Sequence, residues 1–361
     1  MATYLIAGGT CVVAVALVPT VARILSKILP ANDKPGTPPV REAGKTSGFK
    51  KVTHDSAALK KAKNFDTRGD ALKLEAGEVT LFYEFFGEGG LDTIVLLSGA
   101  GIGADMFSVD KAAYPDLGDD FEKGVAAQLA DKTGCRVLTI DYRGHGRSSY
   151  ASDTAPSTDN TVALHALDII AVLKQLNLTS GCHFVGTSLG YLVSVAVAGL
   201  EPSYVLSISG HGASLGPALG LVGPQKPLSS RCLQRCLGSK FFATATEGAA
   251  LVSPKGLLFK VFCYGPGMDG FQKAFVASGH TNLQEVLPKL KIPVLTMYPV
   301  HDAGFYPFSN VEENAKLMTS AKANVVKLET NAKGTTCGHI VPWELPKKYC
   351  ELVAENIKKA K

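Results

Sequence analysis

Charged side chains are scarce in this chain, and they are nowhere concentrated into a basic block. Asp, Glu, Lys and Arg make up 19% of the 361 residues, against 46% hydrophobic residues. A sizeable buried core is therefore expected, and extensive disorder is not. The net charge is only +5, and no dense run of lysine and arginine alternates with aromatic residues. Nucleic acid is therefore not an expected partner.

The eight cysteines lack the spacing of a metal site. No C-x-x-C sequence occurs, and Cys232 and Cys236 have no companion histidines, which makes them a poor zinc site. We expect no metal and interpret the cysteines as buried thiols. The glycine-rich stretch 98–103 is not followed by G-K-[ST], so it is not a phosphate-binding P-loop. No organic cofactor is indicated.

Charge is also missing from the N-terminal run Tyr4 to Val21. Its length lies at the border between a signal-peptide core and a membrane-spanning helix. The basic residues follow the run rather than precede it, which favours a cytosolic domain. We predict that residues 1–29 anchor the protein to a membrane, with the main domain in the cytosol. A cleaved secretory signal and a buried helix are the alternatives.

The rest of the chain divides into a predicted linker at 30–70, rich in Pro, Lys, Gly and Ser, and a domain at 71–361. Apolar runs and alternating segments predict strands at 71–75, 78–86, 93–97, 136–140, 182–185, 204–209, 292–298 and 323–328. Helical patterns fall at 121–132, 161–176, 191–198 and 347–359. Strands that alternate with helices indicate an α/β fold with a mostly parallel sheet and helices on both faces.

The alternation fails between residues 212 and 287, where prolines, glycines and apolar stretches take its place. About 75 residues without a clear strand is long for an ordinary connection. We therefore predict a cap at about 212–287, inserted over the ends of the strands. No internal repeat is visible.

The segment Gly186-Thr187-Ser188-Leu189-Gly190 stands between an apolar strand and an apolar helix. This is the layout of a nucleophile elbow, in which two glycines let the backbone turn sharply and expose the serine hydroxyl. A second copy, Gly212-Ala213-Ser214-Leu215-Gly216, is followed by Pro217 and further glycines, which indicates a loop. We therefore predict Ser188 as the nucleophile and interpret Ser214 as an accidental match.

A serine nucleophile needs a base, and the base needs an acid to orient it. In this architecture the chain order is serine, acid, histidine. Asp302 follows the predicted strand 292–298, and His339 follows the strand 323–328, so both fall off carboxyl ends of strands, where catalytic groups lie. The alternatives are a helix cap for Asp302 and a structural role for His339.

Two backbone amides must stabilise the oxyanion. One is that of Leu189, just after the nucleophile, and the other comes from the loop after the third strand. Ala100 is the candidate there, with Gly101 or Ile102 as alternatives. We also predict substrate contacts for Gly101, Ile102, Tyr191 and His211.

Together these motifs resemble the α/β-hydrolase superfamily over roughly residues 70–360. The stretch Asp141–Ser148 is similar to the D-x-R-G-x-G-x-S loop of many members, and Gly338-His339 resembles the G-H that carries the base. The resemblance implies that Arg143 and Arg147 tie this loop down. Two features depart from the family pattern: Ser98-Gly99 replaces a usual His-Gly, and Tyr191 occupies a position that is usually small.

The resemblance and the residues together predict a serine hydrolase that cleaves a carboxylic ester or a related acyl bond. The apolar cap and the anchor favour a hydrophobic or lipid-like acyl substrate. Acyltransferase, thioesterase and carbon–carbon bond hydrolase activities share the same triad and stay open. A non-catalytic ligand-binding protein of the same fold is the other alternative. The oligomeric state is left open.

Overall fold

The computed structural model describes residues 47–67, 77–90, 92–100, 103–108, 110–112, 119–148, 161–216, 280–300, 302, 307–331, 334 and 336–361. The predicted anchor at 1–29, the predicted strand at 71–75, Gly101, Ile102 and residues 217–279 of the predicted cap lie outside these ranges. Within them, no helix is long and apolar enough to cross a membrane.

The described residues form one eight-stranded sheet. Its strands are β1 (Ser47–Val52), β2 (Val79–Phe86), β3 (Thr93–Leu97), β4 (Arg136–Ile140), β5 (Cys182–Thr187), β6 (Val205–His211), β7 (Pro293–Pro299) and β8 (Lys322–Leu328). They are arranged in the order β1-β2-β4-β3-β5-β6-β7-β8. The β1–β2 and β2–β4 pairs are antiparallel, and every other neighbouring pair is parallel. The prediction of a mostly parallel sheet is confirmed.

Helices cover both faces of the sheet, as predicted. The described helices are α1 (Ser56–Lys63), α2 (Val125–Thr133), α3 (Val162–Gln175), α4 (Leu189–Leu200), α5 (Phe308–Leu317), α6 (Val341–Glu344) and α7 (Pro346–Lys358). Successive residues of β3 alternate between two cores: Val95 packs with the residues of α3 and α4, whereas Leu96 packs with those of α2 and α7. All five residues of β3 are buried, which explains why its sequence is a continuous apolar run.

The predicted linker is wrong for residues 47–67, because this stretch belongs to the sheet domain. β1 pairs along its full length with β2, and the rings of Phe49 and Phe82 meet edge to face at 5.3 Å. Asp55 caps α1 by accepting the N–H of Ala58 at 2.8 Å, a typical N-cap contact. The buried Ala62 then anchors α1 in the core.

The two described ends of the predicted cap lie side by side. The N–H of Leu283 donates to the carbonyl oxygen of Leu215 at 3.0 Å, and both side chains are buried. Ser214 lies in the irregular stretch between these points and β6, outside any helix or strand. An insertion can leave and rejoin the fold at one place when its ends meet in this way.

Candidate active site

Ser188 occupies a sharp turn between β5 and α4. Its φ of 54° and ψ of −114° lie in a region that residues other than glycine rarely adopt. A Cβ at Gly186 would overlap the backbone of Gly190, and a Cβ at Gly190 would overlap the carbonyl of Leu97. Both motif glycines are therefore required by close contact. Ser188 itself is partly exposed, as a nucleophile must be.

The carboxyl end of β3 lies against the start of α4. Leu97 pairs with Gly186 across the two strands, so the chain that continues from β3 through Ala100 passes beside the elbow. Leu189 is the first residue of α4, and the first amides of a helix have no partner within it. These amides and the positive end of the helix dipole can stabilise a developing oxyanion.

His339 and Asp302 form a buried hydrogen-bonded pair. The Nδ1 atom of His339 lies 2.9 Å and 3.0 Å from the two carboxylate oxygens of Asp302, and both residues are buried. With Nδ1 donating to the carboxylate, Nε2 is the ring atom that can accept a proton. Asp302 is not the N-cap of α5, the next described α-helix, because Pro307 occupies that position.

The electrostatics around His339 favour its protonated form. Burial disfavours a charged imidazole, but the charge and hydrogen bond of Asp302, joined by the charge of Glu344, outweigh it. The pKa of His339 is therefore raised from its ordinary value. An imidazole in this setting can take a proton and hold the resulting charge next to a carboxylate.

The carboxyl end of β6 supports both the serine and the histidine. The carbonyl oxygen of His211 accepts the N–H of Ser188 at 2.8 Å. The next residue, Gly212, has a φ of +77°, and a Cβ there would lie only 2.8 Å from Cε1 of His339. The contacts of His211 and Gly212 with Ser188 and His339 were not predicted from the sequence. The clue was the first glycine of the second G-x-S-x-G segment, which was interpreted as accidental.

Two of the predicted substrate contacts, Tyr191 and His211, are fully buried. The Tyr191 hydroxyl lies 2.6 Å from Oγ1 of Thr296, and its ring lies against Gly210 of β6. The His211 ring packs edge to face on Tyr349 at 5.7 Å. Burial and the neighbouring His339 lower the pKa of His211 to about 3, so its ring is neutral. These contacts favour packing roles over the predicted contact with substrate.

The D-x-R-G loop after β4 is tied down from several sides, as the resemblance implied. Asp141 accepts the backbone N–H of Ala104 at 2.6 Å and that of Arg147 at 2.8 Å. Arg143 makes two hydrogen bonds of 2.7 Å to Asp168 of α3. Both members of that ion pair are buried, so the guanidinium of Arg143 is not placed to bind an exposed ligand.

Among the described residues, no group of three or more His, Cys, Asp or Glu side chains could hold a metal ion. The cysteines Cys135, Cys182, Cys337 and Cys350 are buried and free.

Comparison with known proteins agrees with this architecture. Residues 93–229, which include the elbow, match the family described as alpha/beta hydrolase fold. The enol-lactonase from Burkholderia xenovorans LB400 superimposes with a TM-score of 0.55 and 21% identity, over 78% of this chain and 97% of that one. A thermophilic esterase from Thermogutta terrifontis gives 0.53 and 19%, over 78% and 94%.

The chain has the α/β-hydrolase fold. Among curated relatives, it is 33% identical over 128 residues to the protein named "Putative carbamate hydrolase RutD" of Variovorax paradoxus (strain S110), which is 36% of this chain and 40% of that protein. It is 32% identical over 101 residues to the sn-1-specific diacylglycerol lipase ABHD11 of Xenopus laevis, or 27% and 30% of the two chains. The matches thus span less than half the length of either relative.

Proposed function

We propose that this protein is a serine hydrolase that cleaves a carboxylic ester or related acyl bond through an acyl-enzyme. Ser188 attacks the carbonyl carbon while Nε2 of His339 takes the hydroxyl proton and then passes it to the leaving group. Asp302 orients the imidazole and stabilises its positive charge. The amides of Leu189 and Ala100 stabilise the oxyanion. Water, activated by His339 in turn, then releases the acid and regenerates Ser188.

One observation supports this proposal most strongly. Two adjacent residues at the end of β6 contact the strained serine and the imidazole of the buried His339–Asp302 pair. The His211 carbonyl accepts the Ser188 N–H at 2.8 Å, and the His339 ring lies directly over Gly212. A backbone strained at a non-glycine residue is typical of functional sites. A merely structural serine would gain nothing from that strain.

The substrate that we propose is hydrophobic or lipid-like. The support is indirect: the apolar residues of the predicted cap, the uncharged run from Tyr4 to Val21, and a relative named as a diacylglycerol lipase. We also propose that residues 1–29 anchor the protein to a membrane, with the domain in the cytosol. Extraction of membranes at alkaline pH tests the anchor, because an anchored chain stays in the pellet and a chain without residues 1–29 does not.

A fluorophosphonate probe tests the catalytic proposal directly, because it modifies serines activated by a base and an oxyanion site. We expect the folded wild-type protein to be labelled and Ser188→Ala not to be. The matched control is Ser214→Ala, which removes the serine of the second motif and should be labelled like the wild type. An unlabelled wild type would favour the non-catalytic ligand-binding alternative. Loss of labelling in Ser214→Ala would show that Ser214, and not Ser188, is the nucleophile.

A panel of esters with different acyl lengths and head groups then tests the substrate class. We expect kcat/KM to rise with acyl length until the apolar site is filled, by roughly threefold to fourfold for each added CH₂ group. A preference for short, polar acyl groups would contradict the lipid-like assignment. Added alcohol or thiol acceptors and thioester substrates separate hydrolysis from the acyltransferase and thioesterase alternatives.

A further inference from the structure

Glu344 is a buried carboxylate that lies across the loop carrying His339. Only 1% of its surface is exposed. One oxygen, Oε2, accepts the backbone N–H of Gly338 at 2.7 Å and the side-chain amide of Asn331 at 3.2 Å. The other, Oε1, lies directly over Gly338, where a Cβ would approach it to 2.5 Å. Gly338 immediately precedes His339, so this carboxylate fixes the backbone from which the imidazole extends.

Burial without full pairing makes this carboxylate costly. Its Oε1 atom is buried and has no hydrogen-bond partner among the described residues. Burying an incompletely paired carboxylate is unfavourable, whereas a glutamine could also accept the Gly338 N–H and would carry no charge. A nearby positive charge would offset the cost of burying the negative one. The imidazole of His339 is the group whose charge changes during the proposed reaction.

We propose that Glu344 is a positioning residue, whose carboxylate fixes the loop of His339 and adds a second negative charge that stabilises the imidazolium formed during catalysis. The inference rests on the proposed function, since it assigns His339 the role of base. Asp302 holds the ring directly, and Glu344 acts through the Gly338 backbone and through its charge. Opposite charges attract each other more strongly in a buried site than they do in water.

Within the described ranges, the other titratable groups around His339 do not carry a charge that could replace this one. His211, from β6, is neutral because burial and His339 lower its pKa to about 3. Burial, followed by the charges of Glu344 and Asp302, raises the pKa of Cys337. Burial, followed by the charge of Asp302, raises the pKa of Tyr298. Both therefore stay uncharged near neutral pH. In the part of the chain that the structure describes, Asp302 and Glu344 are the anionic groups whose charges raise the pKa of His339.

Glu344 and His339 affect the pKa of one another. Burial raises the pKa of Glu344, the Gly338 N–H and the Asn331 amide oppose that rise, Asp302 adds to it, and His339 opposes it. In turn the charge of Glu344 raises the pKa of His339. Each group thus favours the charged form of the other, and their titrations are coupled. Removing the Glu344 charge should lower the pKa of His339.

The test is the pH dependence of fluorophosphonate inactivation from about pH 5 to about pH 9, for the wild type and three variants. Only the neutral imidazole can accept the serine proton, so the rate falls as the pH drops through the His339 pKa. We expect Glu344→Gln to shift this acid limb to lower pH by about half a unit or more. Glu344→Asp keeps the charge, so its limb should stay within about 0.2 units of the wild type even if its rate is lower. Glu313→Gln removes an exposed charge on α5 and should match the wild type.

The outcomes separate this inference from the proposed function. An unlabelled wild type would remove the proposed function, and this inference with it. If the wild type is labelled and its acid limb coincides with that of Glu344→Gln, the role of Glu344 is refuted and the proposed function is not. A loss of thermal stability without a shift of the limb would also overturn it, because a merely structural residue gives that result. If Glu344→Gln does not fold, Glu344→Asp decides the question. An acid limb that shifts to lower pH together with a lower inactivation rate refutes the charge role, and an acid limb that stays at the wild-type pH supports it.

Discussion

Replacing Gly212 by alanine should disable the proposed base while leaving the catalytic side chains present. The φ of Gly212 is +77°, and a Cβ there would lie 2.8 Å from Cε1 of His339 and 3.3 Å from each ring nitrogen. An unstrained contact between carbon atoms needs about 3.5 Å. The imidazole must therefore move, and its partner Asp302 or its alignment with Ser188 must give way.

Two costs follow from these numbers. The left-handed backbone costs alanine about 1–2 kcal/mol relative to glycine, which lowers the free energy of unfolding. Relieving the contact displaces the imidazole by roughly 0.7 Å, and misplacing a catalytic group by about 1 Å can cost on the order of 100-fold in rate. We expect a 10- to 100-fold slower reaction with the fluorophosphonate probe at a stability loss of only about 1–2 kcal/mol.

Gly134→Ala is the matched control. Gly134 follows α2 with a φ of +68°, and nothing lies within 4 Å of the position its Cβ would take. It should lose a similar amount of stability in urea unfolding but react with the probe at the wild-type rate. The reasoning fails if Gly212→Ala also reacts at the wild-type rate, or if Gly134→Ala is slowed as much.

Four further predictions test other contacts. Tyr191→Phe removes the hydroxyl that lies 2.6 Å from Thr296 and should cost about 1–2 kcal/mol in urea unfolding with KM unchanged; a changed KM at full stability would support the predicted substrate contact instead. Asp168→Asn leaves the buried Arg143 facing a neutral amide and should cost about 3–5 kcal/mol in the same assay. Burial opposes the charge of Asp168, but Arg143 and a histidine hold its pKa at about 2, below the unfolded value of about 3.9. The stabilisation is therefore present above about pH 4 and lost as the pH falls towards 2; a wild-type stability that stays flat over that range would contradict it. Because the pKa of His339 is raised, the acid limb of wild-type labelling should lie above about pH 6.5, and a limb clearly below that value would count against His339 as the base.

The central strands could be predicted from the sequence because their physical causes are local. Strands that are buried on both faces are mostly apolar, and β3 and β4 were predicted at 93–97 and 136–140, where they lie. The α3 helix was predicted at 161–176, and its ends are those residues: Thr161 accepts the N–H of Leu164 as the N-cap, and Leu176 is the C-cap. Periodicity and capping residues together determine such boundaries.

The first strand and helix could not be predicted in this way. Only Val52 is buried in β1, so an edge strand of this kind shows almost no apolar alternation. Its stability comes from pairing with β2, and that information lies outside its own residues. The α1 helix is short, with three lysines in its last turn. A composition rich in lysine and proline was therefore interpreted as a linker.

The contacts that hold the site together depend on strand register, which no local pattern reveals. Thr187 pairs with His211 across β5 and β6, and this register alone brings the His211 carbonyl to the N–H of Ser188. One residue further, Gly212 meets His339. The sequence supplied the residues for a triad, but which backbone atoms support them depends on the relative position of two strands and a distant loop.

The energetics of the elbow explain why the helix after the serine is apolar all round. Strain at Ser188 costs about 1–3 kcal/mol, and its single N–H bond to the His211 carbonyl contributes only about 1 kcal/mol. The hydrogen bond therefore cannot hold the turn alone. Eleven of the twelve residues of α4 are buried, and each valine or leucine among them contributes about 1.5–3 kcal/mol, an upper estimate. Packing of α4 therefore holds the serine in its strained conformation. Tyr191 contributes to this packing, because its ring fills the space over Gly210, at a position where the family pattern has a small residue.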